Sequence, residues 1–243
     1  FDQYNRSSSF PEIVLTTSKI EQLKLLHGYF DAMILRDLAE HYHITNTGIL
    51  RYFVKRIIAN LTKPTSINAI YNDIKSQGLK ISKDELYLWG DYVCNIFLFL
   101  RIPKYDRSLV RERKSLDKYY CIDNGLRSAV LMPQSNDDGK NLENTVFLQL
   151  QRQKLPTDKI SYFQGKGECD FVLQREDKVI QLIQVTWSMS DRETREREIK
   201  GLLEASADTG CNELLIITHD EESSLEQDSK HIRVVPAWQW LLN

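Results

Sequence analysis

Long apolar runs are missing from this chain of 243 residues. A helical membrane span needs roughly 20 consecutive apolar residues. The densest stretch, Val93 to Leu100, is short and broken by Asn95, so a helical span is excluded. Paired cysteines are missing as well. Cys94, Cys121, Cys169 and Cys211 are scattered with no CxxC spacing, which predicts reduced, partly buried thiols and speaks against a disulfide framework or a zinc site. The five histidines form no ligand set: His41 and His43 lie two apart near a helix end, and His27, His219 and His231 are isolated. There is no GxSxG string, no Cys/His nucleophile pattern and no GxxxxGK[ST] loop, so this chain is not expected to bind ATP through a P-loop by itself. A formal net charge of −2 lacks the cationic excess of a broad nucleic-acid coat, while leaving room for a local basic patch. Residues 1–9 have no apolar h-region, so no signal peptide is expected, and a first residue of Phe suggests a piece of a longer chain. A cytoplasmic location fits all of these features.

What is present is the material of two modest globular domains, with 42% hydrophobic and 27% charged residues. A helical leader, residues 1–45, is polar to about Thr17 and then turns helical: Ser18 with Glu21 makes a capping box, and Leu23, Leu26, Phe30, Ile34 and Leu38 recur at helical spacing. Residues 46–132 follow as three helices and a β-hairpin. Ile49, Phe53, Ile57 and Leu61 mark the first helix. Ile67, Ile70 and Ile74 mark the second, between a Pro64–Ser66 break and Gly78. Leu86, Trp89, Val93 and Phe97 mark the third, opened by Ser82 and Glu85. Strand-like runs at 98–105 and 118–123 complete the winged-helix arrangement.

The turn formers Pro133 to Gly139 mark the boundary of a third segment, residues 133–243. Here a helix over 141–153 precedes three strand-like runs at 159–164, 168–174 and 178–187. A charged helix at 191–207 and strands at 213–218 and 232–235 follow. That order predicts one α/β layer domain.

Within it, Glu143 lies on the opening helix, Asp170 begins the apolar half of the second strand, and Gln184 and Thr186 share one side of the third. A hairpin between those strands brings Asp170 toward Gln184. Carboxylates converging on a divalent ion, with a nearby cation, are what a metal-dependent phosphodiesterase needs. Structural readings stand beside this one. Glu143 also suits the positive end of its helix. Asp170 also suits a salt bridge with Arg195 or Arg197, because a buried carboxylate needs a partner. Gln184 and Thr186 also suit ordinary strand positions. The run Arg192 to Glu198 reads as a solvated face with intrahelical ion pairs, or as the source of an Arg197 or Glu198 that leans over the site.

In order and spacing, Phe10-Pro11-Glu12, Tyr29-Phe30-Asp31, Arg36-Asp37, Tyr120 to Arg127, Leu142-Glu143-Asn144, Glu168 to Val172, Leu182 to Thr186, Arg197-Glu198-Ile199 and Pro236-Ala237-Trp238 resemble the C-terminal module, a domain of unknown function, of prokaryotic AAA-type P-loop ATPases that carry a PD-(D/E)XK nuclease-like domain. The resemblance spans nearly the whole chain and implies an ATPase domain upstream of Phe1. It implies an α/β (α+β) protein: an N-terminal helical and winged-helix region, then a PD-(D/E)XK restriction-endonuclease-like α/β domain. Carried over, Glu143 matches the helix carboxylate, Asp170 the central aspartate, Gln184 the (D/E) position and Thr186 the lysine position, while Val185 would lend a backbone carbonyl to a metal. Glu143, Asp170, Gln184 and Val185 would then hold Mg²⁺ if the site is active. A neutral glutamine weakens that set and a threonine supplies no charge. Lys166 and Lys178 are the candidates for a displaced lysine, but the implied site is incomplete.

The third helix of the winged-helix region carries Asp84, Glu85 and Asp91 against Lys83, the wrong sign for phosphate. The stretch between the hairpin strands is different. Arg101, Lys104, Arg107, Arg111, Arg113, Lys114 and Lys118 outnumber Asp106, Glu112 and Asp117 there. Arg107, Arg111, Arg113 and Lys114 are the candidate nucleic-acid contacts, with Tyr105, Tyr119 and Tyr120 either stacking bases or filling the hairpin. Three functions follow: an accessory module of a P-loop ATPase with a degenerate nuclease-like fold that contacts DNA, an active Mg²⁺-dependent endonuclease, or a protein-interaction or homo-oligomerisation module. None involves a membrane.

Overall fold

The computed structural model describes residues 1–131 and 137–242. In chain order the elements are α1 (Asp2–Arg6), α2 (Pro11–Leu15), α3 (Lys19–Ala32), a π-helical stretch (Met33–Glu40), α4 (Thr47–Ala59), β1 (Pro64–Thr65), α5 (Ile67–Ser76), α6 (Lys83–Asn95), β2 (Phe99–Ile102), α7 (Leu109–Lys114), β3 (Asp117–Cys121) and α8 (Asn124–Val130). Then come α9 (Asp137–Gln153), β4 (Asp158–Gln164), β5 (Glu168–Arg175), β6 (Lys178–Val185), α10 (Arg192–Thr209), β7 (Leu214–Thr218), β8 (Ser223–Gln227), β9 (Lys230–Pro236) and α11 (Ala237–Leu241). Residues 133–136 of the proposed boundary lie outside the described residues, and Asp137 to Gly139 already belong to α9.

The protein is mixed α/β and divides into two compact units. The helical unit runs from Asp2 to Arg101 and resumes at Asp117. Three caps form where the sequence predicts them: the side chains of Ser18, Ser66 and Ser82 accept from the backbone N–H groups of Glu21, Ala69 and Glu85. Asn46 caps α4 in the same way, accepting from the Ile49 N–H. Ile13, Leu26, Phe30, Ile34, Phe53, Ile57, Trp89 and Tyr119 share one core, so residues of the leader and of the following helices are buried together. The pattern read as one helix from Ser18 is α-helical to Ala32 and π-helical beyond it. A small sheet, ordered β1-β3-β2, flanks the helices. Tyr119 and Tyr120 are buried, so they fill the fold and are not available to stack bases.

The sheet unit contains Ile102–Leu116 and the described chain from Asp137 onward. Its six strands are ordered β4-β5-β6-β7-β9-β8. The meander β4, β5, β6 is antiparallel, β6, β7 and β9 are parallel, and β8 returns antiparallel to β9. The charged α10 makes the crossover from β6 to β7, as a parallel pair requires. Strand β8 was not predicted because Ser223 to Gln227 has no apolar alternation. The stretch read as a wing is annexed to this unit: Lys104 bridges to Tyr162, Tyr162 N–H donates to the Pro103 carbonyl at 3.1 Å, and Lys159 pairs with Glu112 at 2.5 Å. These contacts cover the β4 edge, which would otherwise present open hydrogen-bonding groups.

Candidate functional site on the sheet

The antiparallel register pairs Phe171 with Ile183 and Val172 with Leu182, so Asp170 and Gln184 come opposite one another. Both are buried, at 5% relative exposure each. Asp170 Oδ2 accepts from the Val185 backbone N–H at 2.9 Å, and Gln184 Oε1 accepts from the Asp170 backbone N–H at 3.1 Å. Gln184 Nε2 donates to Glu198 Oε2 at 2.5 Å, and Glu198 Oε1 accepts from Arg197 Nη2 at 2.5 Å. The result is one chain of polar contacts: Arg197, Glu198, Gln184, Asp170.

Helix α10 delivers the last two residues. Asp191 caps it, accepting from the Thr194 N–H at 2.8 Å, and Gly201 lets it approach β5 closely. A Cβ at Gly201 would lie 2.1 Å from the Glu168 carbonyl oxygen. Burial raises the Glu198 carboxyl above its ordinary value, the charge of Asp170 adds to that, and the bonds from Arg197 and Gln184 oppose it. Arg197 is held in its charged form by Glu198, with Asp170 contributing at longer range.

Other residues singled out in the sequence are placed as follows. Glu143 is buried on α9, which packs on β6. Val185 meets Asp170 through its N–H. Thr186 Oγ1 donates to the Ser188 carbonyl at 3.3 Å, turning it into the loop after β6. Lys178 lies at the other end of β6 from Gln184, about 20 Å along the strand, where it lines a cavity with Tyr105 and Arg107. The backbone N–H of Lys166 donates to Glu204 at 2.8 Å. The cation nearest the site in this chain of contacts is therefore Arg197. Among the described residues no three His, Cys, Asp or Glu side chains are grouped to hold a metal.

Of the candidate nucleic-acid contacts, Arg107 donates to the Asp208 carbonyl oxygen and Arg111 is paired with Asp106 at 3.0 Å. Arg113 and Lys114 are exposed on the last turn of α7. Lys118, counted with them, is buried. The four cysteines are free thiols, Cys94 half-buried and the others buried. Among the described residues no helix is long and apolar enough to cross a membrane.

A family described as "Domain of unknown function (DUF8612)" matches residues 1–137, and one described as "Domain of unknown function (DUF4143)" matches residues 138–240. Domains of the second kind are typically found alongside ATPase domains. An uncharacterized protein of Methanocaldococcus jannaschii is 29% identical over 249 residues, covering 99% of this chain and 55% of its own length. An uncharacterized protein of Haemophilus influenzae is 26% identical over 191 residues, covering 79% and 47%. The chain thus spans about half the length of the curated relatives it matches. No solved structure matches it. With more than half of its sequence matched, the chain belongs to the DUF8612 family.

Proposed function

We propose that this chain is the accessory module of a P-loop ATPase, and that its sheet unit is a PD-(D/E)XK nuclease-like fold that no longer cleaves nucleic acid. The order α9, β4, β5, β6, α10, β7, with Asp170 opposite the Gln184 position, supports the fold reading. The three helices α4 to α6 with the β1-β3-β2 sheet support a winged-helix reading of the other unit. The association of DUF4143 domains with ATPases supports the partner.

The observation that carries the loss of catalysis is the fate of Gln184. Its carbonyl oxygen accepts from Asp170 N–H and its amide donates to Glu198, so both ends are taken by the protein. Asp170 in turn accepts from Val185. Protein partners already hold these groups, which makes them poorer ligands for a hard divalent ion that favours carboxylate and water oxygens. Thr186 is neutral and its hydroxyl is spent on the Ser188 carbonyl, so it supplies no charge to a phosphate.

The rival is an active Mg²⁺-dependent endonuclease. One observation favours it: Glu198 is close enough to Asp170 to feel its charge, and Arg197 stands beside it. Those two residues would replace the missing acid and lysine. A cleavage assay on circular, linear and branched DNA with Mg²⁺ or Mn²⁺ separates the readings. No cleavage is expected. Cleavage abolished by both Glu143→Ala and Asp170→Ala would overturn the proposal.

A further inference from the structure

The strings Phe10-Pro11-Glu12, Tyr29 and Arg36-Asp37 are separate in the sequence and take no part in the sheet site. In the helical unit they line one open cavity of about 440 Å³. Its walls are apolar. The rings of Phe10 and Tyr29 meet edge to face, with centroids 5.3 Å apart at 84°, and Pro11, Ala32 and Met33 extend the surface.

The rim is polar and unevenly charged. Arg36 is matched by Asp37, with Nε to Oδ1 at 2.7 Å and Nη2 to Oδ2 at 3.3 Å. Among the described residues Glu12 accepts from a neutral donor, the Tyr29 hydroxyl. That bond raises the Tyr29 pKa, so the hydroxyl keeps its proton and acts as the donor. Among the described residues no cation pairs with Glu12. The wall that carries Met33, Arg36 and Asp37 is the π-helical stretch, a rare geometry that recurs frequently at functional sites.

We propose that this cavity docks the side chain of an arginine or lysine presented by a partner polypeptide. Its methylenes would lie against Phe10, Tyr29 and Met33 and its charge would rest on Glu12. Long cationic side chains bury their stems on apolar surface while the head stays polar, and aromatic faces attract cations. An anion would meet two carboxylates and a guanidinium already engaged. A purely apolar side chain would cover the Glu12 carboxylate and lose its hydration without a replacement. The inference does not depend on the nuclease-like reading of the sheet unit.

The test is an NMR titration of the whole chain, following the Tyr29 ring and the Met33 methyl group. The probes are N-acetylarginine amide, N-acetyllysine amide, N-acetylnorleucine amide, N-acetylglutamate amide and spermidine. Saturable shifts at these residues are expected with the arginine and lysine probes, and weaker binding with the others. Glu12→Gln, at an exposed position, should leave the melting temperature unchanged and weaken the arginine probe about threefold to fivefold. Tyr29→Phe keeps the ring and frees Glu12, so it should bind that probe at least as tightly as the unaltered chain. Norleucine binding as tightly as arginine would overturn the proposal, as would tighter glutamate binding, an unaffected Glu12→Gln variant, or no saturable shift. Spermidine binding tighter than either cationic amide would overturn the polypeptide assignment.

Discussion

Asp123 in the helical unit and Asp170 in the sheet unit are both buried carboxylates, at 1% and 5% relative exposure, yet their surroundings differ in kind. Asp123 caps α8 by accepting from the Leu126 N–H at 3.1 Å, and its other oxygen accepts from Ser8 Oγ, Ser9 Oγ and Ser9 N–H at 3.1, 3.0 and 2.7 Å. Every one of those partners is a donor, and the set ties the start of the chain to α8. Asp170 also accepts a backbone N–H, but it sits close to a second buried carboxylate, Glu198, whose charge it opposes. Like charges held near each other in a buried place cost stability and add no cap or tether. A carboxylate explained by its donors is structural. One kept beside another carboxylate is a candidate for a functional site.

Five substitutions would break or sharpen that contrast. Asp123→Ala should be the most damaging, at about 3–4 kcal/mol, because buried donors lose a charged acceptor and α8 loses its cap. Urea denaturation measures it, and a loss under about 1 kcal/mol would mean that the tether is dispensable. Gly201→Ala should follow at about 2–3 kcal/mol, since its methyl group meets the Glu168 backbone and lifts α10 from β5. Gly125→Ala is the counterpart at the Asp123 tether, where a Cβ would lie 2.6 Å from Ser8 Cβ, and its thermal unfolding should shift by a similar amount.

Glu198→Gln should change the pH profile more than the stability at any one pH. The raised carboxyl means that folding favours the protonated form. Its contribution is therefore fully present below the ordinary value of 4.5 and is lost as pH climbs from there through the raised folded value. The variant should lack that decline in a series of denaturation midpoints from acid to neutral pH. Asp170→Asn should have the smallest effect, within about 1 kcal/mol and of either sign, because the amide oxygen still accepts from Val185 while the repulsion disappears. A large loss at this position would place Asp170 with Asp123 as a structural carboxylate.

The sequence made some of this legible and hid the rest for physical reasons. Alternating and continuous apolar runs exposed β4 to β7 and β9, capping residues exposed α3, α5 and α6, and the spacing of Ile49, Phe53, Ile57 and Leu61 exposed α4. Residue spacing put Asp170 toward Gln184. The four-residue spacing of Ile34 and Leu38 suits an α-helix as well as a π-helix, so the change of geometry at Met33 left no signal. Helix α7 was hidden because Arg111-Glu112-Arg113-Lys114 reads as a charged loop. Tyr119 and Tyr120 offered two roles, and only burial decides between them. Glu198 was the hardest to weigh. It sits in a run of alternating charges in which most neighbours are solvated, and only the close approach allowed by Gly201 turns it inward.

Mn²⁺ binding to the intact chain, followed by calorimetry, tests most directly whether the donors around Asp170 are committed to one another. No saturable binding that distinguishes the unaltered chain from Asp170→Ala is expected. Uptake of one ion, lost in both Asp170→Ala and Gln184→Ala, would contradict it.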